Sequence, residues 1–148
     1  MEISFYHLTF QPLNVALPKL LGKVLEVKMK AVIKVPSKDH MNDLDEALWC
    51  YDKTSFLPHD TENSKYKIAQ PVYISTIDEN PAQAEVLVLT DGALTDNFEG
   101  YSRVLEMFDG NNPTAVEQAR SRWTNYKASG HDLTYWQQTD RGGWTKKS

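Results

Sequence analysis

AVIKVPSKDHMNDLDEALW, Ala31 to Trp49, is the stretch from which the fold can be read. Ala31 to Val35 is a short apolar run ended by Pro36, which has no N–H to give a strand ladder. Ser37 is placed to cap a helix, and Met41, Leu44, Ala47 and Leu48 recur at the helical period as its inward stripe. Upstream, Ile3 to Leu8 reads as a first strand, bounded by the turn signal Gln11-Pro12. A helix is expected between the two strands, with Asn14 as N-cap and Pro18 still within the tolerated first turn. Its stripe Leu17, Leu20, Leu21, Val24 and Met29 is opposed by Lys19, Lys23, Glu26 and Lys30. Strand, helix, strand, helix in that order implies a parallel sheet with helices packed on its faces.

Downstream, Asp60 to Gln70 is polar and reads as a loop, then Val72 to Ile77 and Glu85 to Leu89 read as two more strands. The second is nearly continuous in apolar residues and suits a buried position. Asp91-Gly92 is a turn pair. Val104, Glu106 and Phe108 alternate with Leu105 and Met107, so residues 101–108 are expected to be a strand preceded by a turn of helix. Asn112-Pro113 joins an N-cap to Pro at the first helical position, and this helix should run to about Ser129 and stop at Gly130. Leu133 to Gln137 is a final short strand. The expected architecture is one α/β domain over residues 1–138: an open, mostly parallel, Rossmann-like sheet with helices on both faces and no nucleotide-binding loop. Residues 139–148 are expected to be a flexible basic tail.

The chain has 148 residues, one domain's worth, and a formal charge of −4, which disfavours binding a phosphate backbone through its overall field. Its single cysteine, Cys50, excludes an internal disulfide framework and fits a reducing compartment. No run approaches the roughly 18 apolar residues of a membrane span. The start MEIS lacks the basic and apolar regions of a secretory signal, so a cytoplasmic location is expected. Charge is nonetheless uneven. From Gln118 to His131 there is no acid, while Arg120, Arg122 and Lys127 all fall in that window. A local basic patch of this size suits a small anionic partner better than a long stretch of DNA.

Catalytic and cofactor chemistry is not written here. None of the seven glycines falls in the first strand-to-helix turn, where a dinucleotide fold needs them, and no Gly-Lys-Thr or Gly-Lys-Ser is present to wrap a triphosphate. His7, His40, His59 and His131 show no metal-ligand pairing, so no metal is expected. A Cys50–His59 nucleophile pair lacks a third, orienting group at a recognisable spacing. Two rival functions remain in view. One is a small nucleotide-processing enzyme relying on Asp91 or His59. The other is a direct binder of single strands, stacking bases on Trp123, Tyr126, Tyr135 and Trp136.

On the last long helix, at about 100° per residue, Arg120, Trp123, Thr124 and Lys127 share an arc of roughly 100°. Val116, Ala119, Trp123 and Tyr126 form its inward stripe. Trp123 thus stands on the border of core and solvent, where an aromatic flanked by cations can take an apolar side chain and a carboxylate together. The same pattern also fits a core aromatic beside a solvated face. Similarly, Trp49 and Phe56 fit either core filling or a protein contact.

Two motifs carry a family resemblance. Leu44-Asp45-Glu46-Ala47-Leu48-Trp49 leads to Ser55-Phe56-Leu57-Pro58-His59, and Ala119-Arg120-Ser121-Arg122-Trp123 is followed by Tyr126, Lys127 and Gly130. In these motifs, their order and the α/β layout between them, the chain resembles the chi subunit of the bacterial DNA polymerase III holoenzyme, a clamp-loader accessory protein. The resemblance implies a non-enzymatic accessory subunit of a DNA-directed DNA polymerase, a nucleotidyltransferase complex, without a cofactor of its own and touching DNA only indirectly. It implies that Arg120, Trp123, Thr124 and Lys127 bind the acidic C-terminal tail of single-stranded-DNA-binding protein, which ends in Pro-Phe. Arg120 would pair with carboxylates and Trp123 would wall the Phe pocket. Thr124 departs from the family, whose members commonly carry Lys there. The resemblance also implies that Trp49, Phe56, Leu57 and Pro58 dock a clamp-loader partner, psi or an equivalent.

Overall fold

The computed structural model describes residues 2–50, 59–61, 71–80, 83–95, 98, 100–141 and 143–147, with backbone only at 49, 50, 59 and 60. In chain order the elements are β1 (Glu2–Leu8), α1 (Leu13–Glu26), β2 (Ala31–Lys34), α2 (Lys38–Cys50), β3 (His59–Thr61), β4 (Val72–Ser75), β5 (Val86–Thr90), β6 (Arg103–Asp109), α3 (Pro113–Ala128), β7 (Asp132–Gln138) and β8 (Trp144–Lys146). The strands form one sheet in the order β3-β4-β2-β5-β6-β1-β7-β8. Every pairing is parallel except β7 with β8.

The alternation of side chains along each strand builds two cores. One gathers Tyr6, Leu8, Ile33, Val88, Leu105 and Met107 beneath Leu17 and Leu21 of α1 and Met41, Leu44 and Leu48 of α2. The other gathers Ile3, Phe5, Leu87, Leu89, Val104 and Phe108 beneath α3. Helices therefore cover both faces, as expected of a doubly wound α/β sheet. The apolar run of β5 is buried throughout, because it lies mid-sheet with both faces covered.

Turn chemistry fixes the strand ends. Asp91 and Gly92 both adopt positive φ, 51° and 84°, so this dipeptide supplies the left-handed turn its sequence signalled. Gly110 is required for a different reason. A Cβ there would lie 1.9 Å from His7 Cδ2 and 2.6 Å from the Leu8 carbonyl oxygen, so β6 can leave the sheet only by passing against β1. The Ser37 cap holds, with the His40 N–H donating to Ser37 Oγ at 3.3 Å. Asn112 caps α3, its Oδ1 accepting from the N–H groups of Thr114 at 3.0 Å and Ala115 at 3.3 Å.

Several expectations are corrected, among them the turn of helix before β6, since residues 98 and 100–102 are not helical. The N-cap of α1 is Pro12, whose carbonyl accepts from Val15 and Ala16, so Asn14 lies inside the helix and Pro18 beyond its first turn. Lys28 takes a φ of 61° and ends the helical path, so Met29 packs on the core from outside α1. The boundary placed after residue 138 falls inside a hairpin: β8 pairs with β7, and Trp144 meets Tyr6 edge-on at 5.0 Å. Burying two large rings against each other is what ties down a segment that composition alone marks as a tail. Most of the expected polar loop at 60–70 lies outside the described residues, while Asp60 and Thr61 belong to β3.

Candidate functional site

The α3 face of the sheet is floored by aromatic rings. Phe5 on β1 meets Trp123 at 5.3 Å and Tyr126 at 6.0 Å, and Trp123 meets Tyr135 of β7 at 5.8 Å. Most of these pairs are edge-to-face, the arrangement the ring quadrupole favours. Ala119 is buried where the helix comes closest to the sheet, while Val116, Trp123 and Tyr126 pack from the half-buried flank. The inward stripe expected of this helix is therefore present.

Its cations split into two kinds. Arg120 and Lys127 are exposed, whereas Arg122 is turned inward and donates through Nε to Glu106 Oε1. Glu106 is 1% exposed, and its Oε2 has no hydrogen-bond partner among the described residues. The alternation that puts Val104 and Phe108 into this core carries Glu106 in with them, and a buried carboxylate needs a cation. One of the three cations of the acid-free window thus belongs to the fold. The exposed patch is Arg120 and Lys127.

Arg120 has two neighbours that sequence reasoning did not connect with it. Burial pushes the Tyr135 hydroxyl up from its ordinary pKa, and the Arg120 charge acts against that rise. Burial pulls His7 below its ordinary value; the backbone at Gly110 and the Asp109 carboxylate oppose the shift, and Arg120 reinforces it. His7 Nδ1 and the Tyr135 hydroxyl share a hydrogen bond of 2.5 Å. The strand register could have suggested this grouping, since Phe5 stands opposite Tyr135 and His7 follows two residues later on the same side of β1. Thr124 is exposed and donates its hydroxyl to the Arg120 carbonyl at 3.1 Å, so that proton is turned to the helix backbone rather than outward.

The four-ring stacking platform does not form one surface. Trp123, Tyr126 and Tyr135 belong to the α3 face, while Trp136 packs with the opposite core. The side chain of Trp49, and Phe56, Leu57 and Pro58 entirely, lie outside the described residues, as does the Cys50–His59 side-chain pair.

The crevice at the C-terminal ends of the strands is where an open α/β sheet would hold a nucleotide. Here a hollow of about 440 Å³ is lined in part by Leu8, Asn14, Asn111 and the two carboxylates Asp91 and Asp109, with no lysine or arginine among the described lining residues. Burial raises the Asp91 pKa, His40 lowers it and Asp109 raises it further. Two acids in a hollow lined by no lysine or arginine among the described residues disfavour a phosphate there. Among the described residues no cluster of three or more His, Cys, Asp or Glu could hold a metal ion. No helix of the described residues is long and apolar enough to cross a membrane.

With the geometry in place, two comparisons with known proteins can be set beside it. The model of the family described as DNA polymerase III chi subunit, HolC, matches residues 1–134, a span running from β1 into β7 and including all of α3. A probable DNA polymerase III subunit chi from Rickettsia prowazekii (strain Madrid E) is similar at 30% identity over 108 residues. That alignment takes in 71% of this chain and 66% of the relative, so the chain spans just under two thirds of the relative's length.

Proposed function

We propose that this chain, which belongs to the DNA polymerase III chi subunit family, is a non-catalytic adaptor with two binding surfaces. The α3 face grips the acidic C-terminal tail of single-stranded-DNA-binding protein. The surface of Trp49, Phe56, Leu57 and Pro58 docks the clamp loader through psi or an equivalent subunit. The observation that carries this reading is the exposed Arg120 beside the half-buried rings of Trp123 and Tyr135. An apolar side chain can settle against the rings while a carboxylate meets the guanidinium, and Lys127 adds charge about two turns along. Arg120 is the grip, Trp123 the wall of the Phe pocket, and Thr124 a neighbour whose hydroxyl is engaged by the helix.

The expected affinity is modest. Burying one Phe contributes roughly 1.5–3 kcal/mol. A hydrogen bond to a charged carboxylate contributes roughly 1.5–3 kcal/mol more. Ordering a flexible tail costs part of that sum, which leaves binding in the micromolar to millimolar range. Weak single contacts suit a strand coated with many tails, where avidity accumulates without slowing release.

Fluorescence anisotropy of a labelled acidic peptide ending in Pro-Phe tests the reading. The wild type should bind it, more weakly as salt rises, and Arg120→Ala should lose affinity by a few-fold. Affinity that is flat across salt and unchanged by Arg120→Ala would remove this face from the proposal. A mononucleotide with Mg²⁺ should leave the thermal transition where it is.

A further inference from the structure

The opposite face of the sheet holds a second surface, independent of the tail reading. From β1, α1 crosses toward β2 and packs over Tyr6 and Leu8 of β1 and over β6, while the β7–β8 hairpin continues the sheet beyond β1. A groove of about 650 Å³ opens there, between α1 and the β7–β8 hairpin. Tyr6, Trp136 and Trp144 form its aromatic side, with the last two half-buried. Val24, Met29 and Leu105 form the aliphatic side, and Val27 extends it at 63% exposure.

The charged residues that line the groove are cations, with Glu2 beside Arg103 at its edge. Lys19, Lys23 and Arg103 line the groove and are all exposed, and no acid lines it among the described residues. Lys146 stands opposite Trp136 in the β7–β8 register and adds a fourth cation beside the rings. Arg103 is partly met by Glu2 at 3.4 Å, a contact between two exposed side chains, and Lys19 donates to Gln11 Oε1 at 3.4 Å. On a chain with a net charge of −4, the lining of this groove carries an excess of cations beside an apolar floor.

We propose that this groove docks a segment of a partner protein that carries bulky apolar anchors flanked by aspartate or glutamate. Charge complementarity selects the acidic flanks, and the mixed floor selects side chains as anchors. Nucleic acid fits less well. Half of the floor is aliphatic, Tyr6 is only 8% exposed, and its ring is engaged edge-to-face with Trp144, so few flat faces remain for bases. The family match ends at residue 134, so neither Trp136 nor Trp144 is accounted for by it.

The four tryptophans make the test direct, since each indole N–H gives its own proton–nitrogen NMR signal. Three probes are titrated into the full chain: a synthetic peptide of Leu and Phe interspersed with Asp and Glu, its counterpart with Lys at every acidic position, and oligothymidine. The acidic peptide should move the Trp136 and Trp144 signals, and the Lys counterpart should not. The double substitution Lys19→Glu, Lys23→Glu, on exposed positions of α1, should weaken binding at least about fivefold, as exposed charge reversals of this kind allow. Three results would overturn the proposal: no movement at Trp136 and Trp144 with the acidic peptide, equal movement with its Lys counterpart, or movement with oligothymidine alone. Trp123 reports the α3 face separately, so failure of one surface is not mistaken for failure of the other.

Discussion

The two faces of this sheet solve the same packing problem with different materials. Under α1 and α2 the core is mainly aliphatic, and the helices are located by Leu17, Leu21, Met41, Leu44 and Leu48, all buried. Under α3 the floor is aromatic and only Ala119 of the helix is buried, yet half-buried Arg122 pairs with the buried Glu106 carboxylate and joins helix to sheet. With Ala119 as its one buried residue and Val116, Trp123 and Tyr126 only half-buried, this helix gains less from non-directional burial than α1 does. A directional ion pair can then fix its rotation, and rotation decides which residues of α3 face water. On this comparison the α1 side is held by area and the α3 side by an anchor.

The largest expected effect comes from breaking that anchor. Arg122→Ala leaves the Glu106 carboxylate buried without a cation, and removing one partner of a buried pair costs about 3–5 kcal/mol. Replacing both by apolar residues of similar size, Glu106→Leu with Arg122→Met, should recover most of that loss. Urea unfolding of the two single variants and the double variant gives the coupling directly. If Arg122→Ala were no more harmful than an ordinary surface change, the α3 face would be held by its rings, and the contrast between the faces would collapse.

Gly110→Ala is next in size. The added methyl collides with His7 and with the Leu8 carbonyl, and overpacking of this kind costs about 1–3 kcal/mol. Pairing it with His7→Ala should restore part of the stability and no more, because the backbone collision at 2.6 Å remains. Thermal unfolding of the three variants separates the side-chain share from the backbone share. Full restoration would mean that β1 and β6 do not press together at this turn.

The anchor also explains what the sequence could and could not convey. Strand–helix alternation, the Ser37 and Asn112-Pro113 caps, the Asp91-Gly92 turn and the stripe of α3 are local patterns, and all were legible. Glu106 was legible as a strand residue. That Arg122 rather than Arg120 answers it depends on how α3 is rotated against β6, a tertiary fact with no local signature. Likewise Trp144, in a run of polar and basic residues, gives no periodicity from which a strand of three residues could be recognised. Pro12 displaced Asn14 as cap because the carbonyl that opens a helix need not belong to a residue with a capping side chain. Residues Arg120, Trp123, Thr124 and Lys127 were placed on one helix by spacing alone, but the approach of His7 and Tyr135 to Arg120 required the sheet register.

Acid separates the two faces as well, because the α3 face carries a histidine, His7, whose pKa is lowered by burial and by the nearby Arg120 charge. His7 sits below its ordinary value of 6.5, chiefly through burial and with Arg120 reinforcing the shift. The unfolded chain therefore takes up the proton first as pH falls, and stability declines from about pH 6.5 downward until the folded form also titrates. The decline should be smaller than the Gly110→Ala effect. Chemical unfolding at about pH 7.5 and about pH 5.5 should show a larger loss in wild type than in His7→Asn. An equal loss in both would mean that carboxylates elsewhere govern the acid response.

The smallest effect on stability is expected at Arg120, two residues from the most sensitive arginine of the chain. Its side chain is exposed, so Arg120→Ala should change unfolding free energy by no more than about 0.5 kcal/mol at neutral pH. Two consequences nonetheless follow from its neighbours. Removing the cation eases protonation of His7, which brings the folded value closer to the unfolded one and shrinks the acid-induced loss. The same substitution should weaken the acidic Pro-Phe peptide by a few-fold, while Lys127→Ala, farther along the helix, weakens it less. A variant that folds as well as wild type, tolerates acid better and binds the peptide worse would assign Arg120 to recognition and leave Arg122 to the fold. If instead Arg120→Ala unfolds as readily as Arg122→Ala, both arginines serve the anchor, and the basic patch on which the tail reading depends is reduced to Lys127.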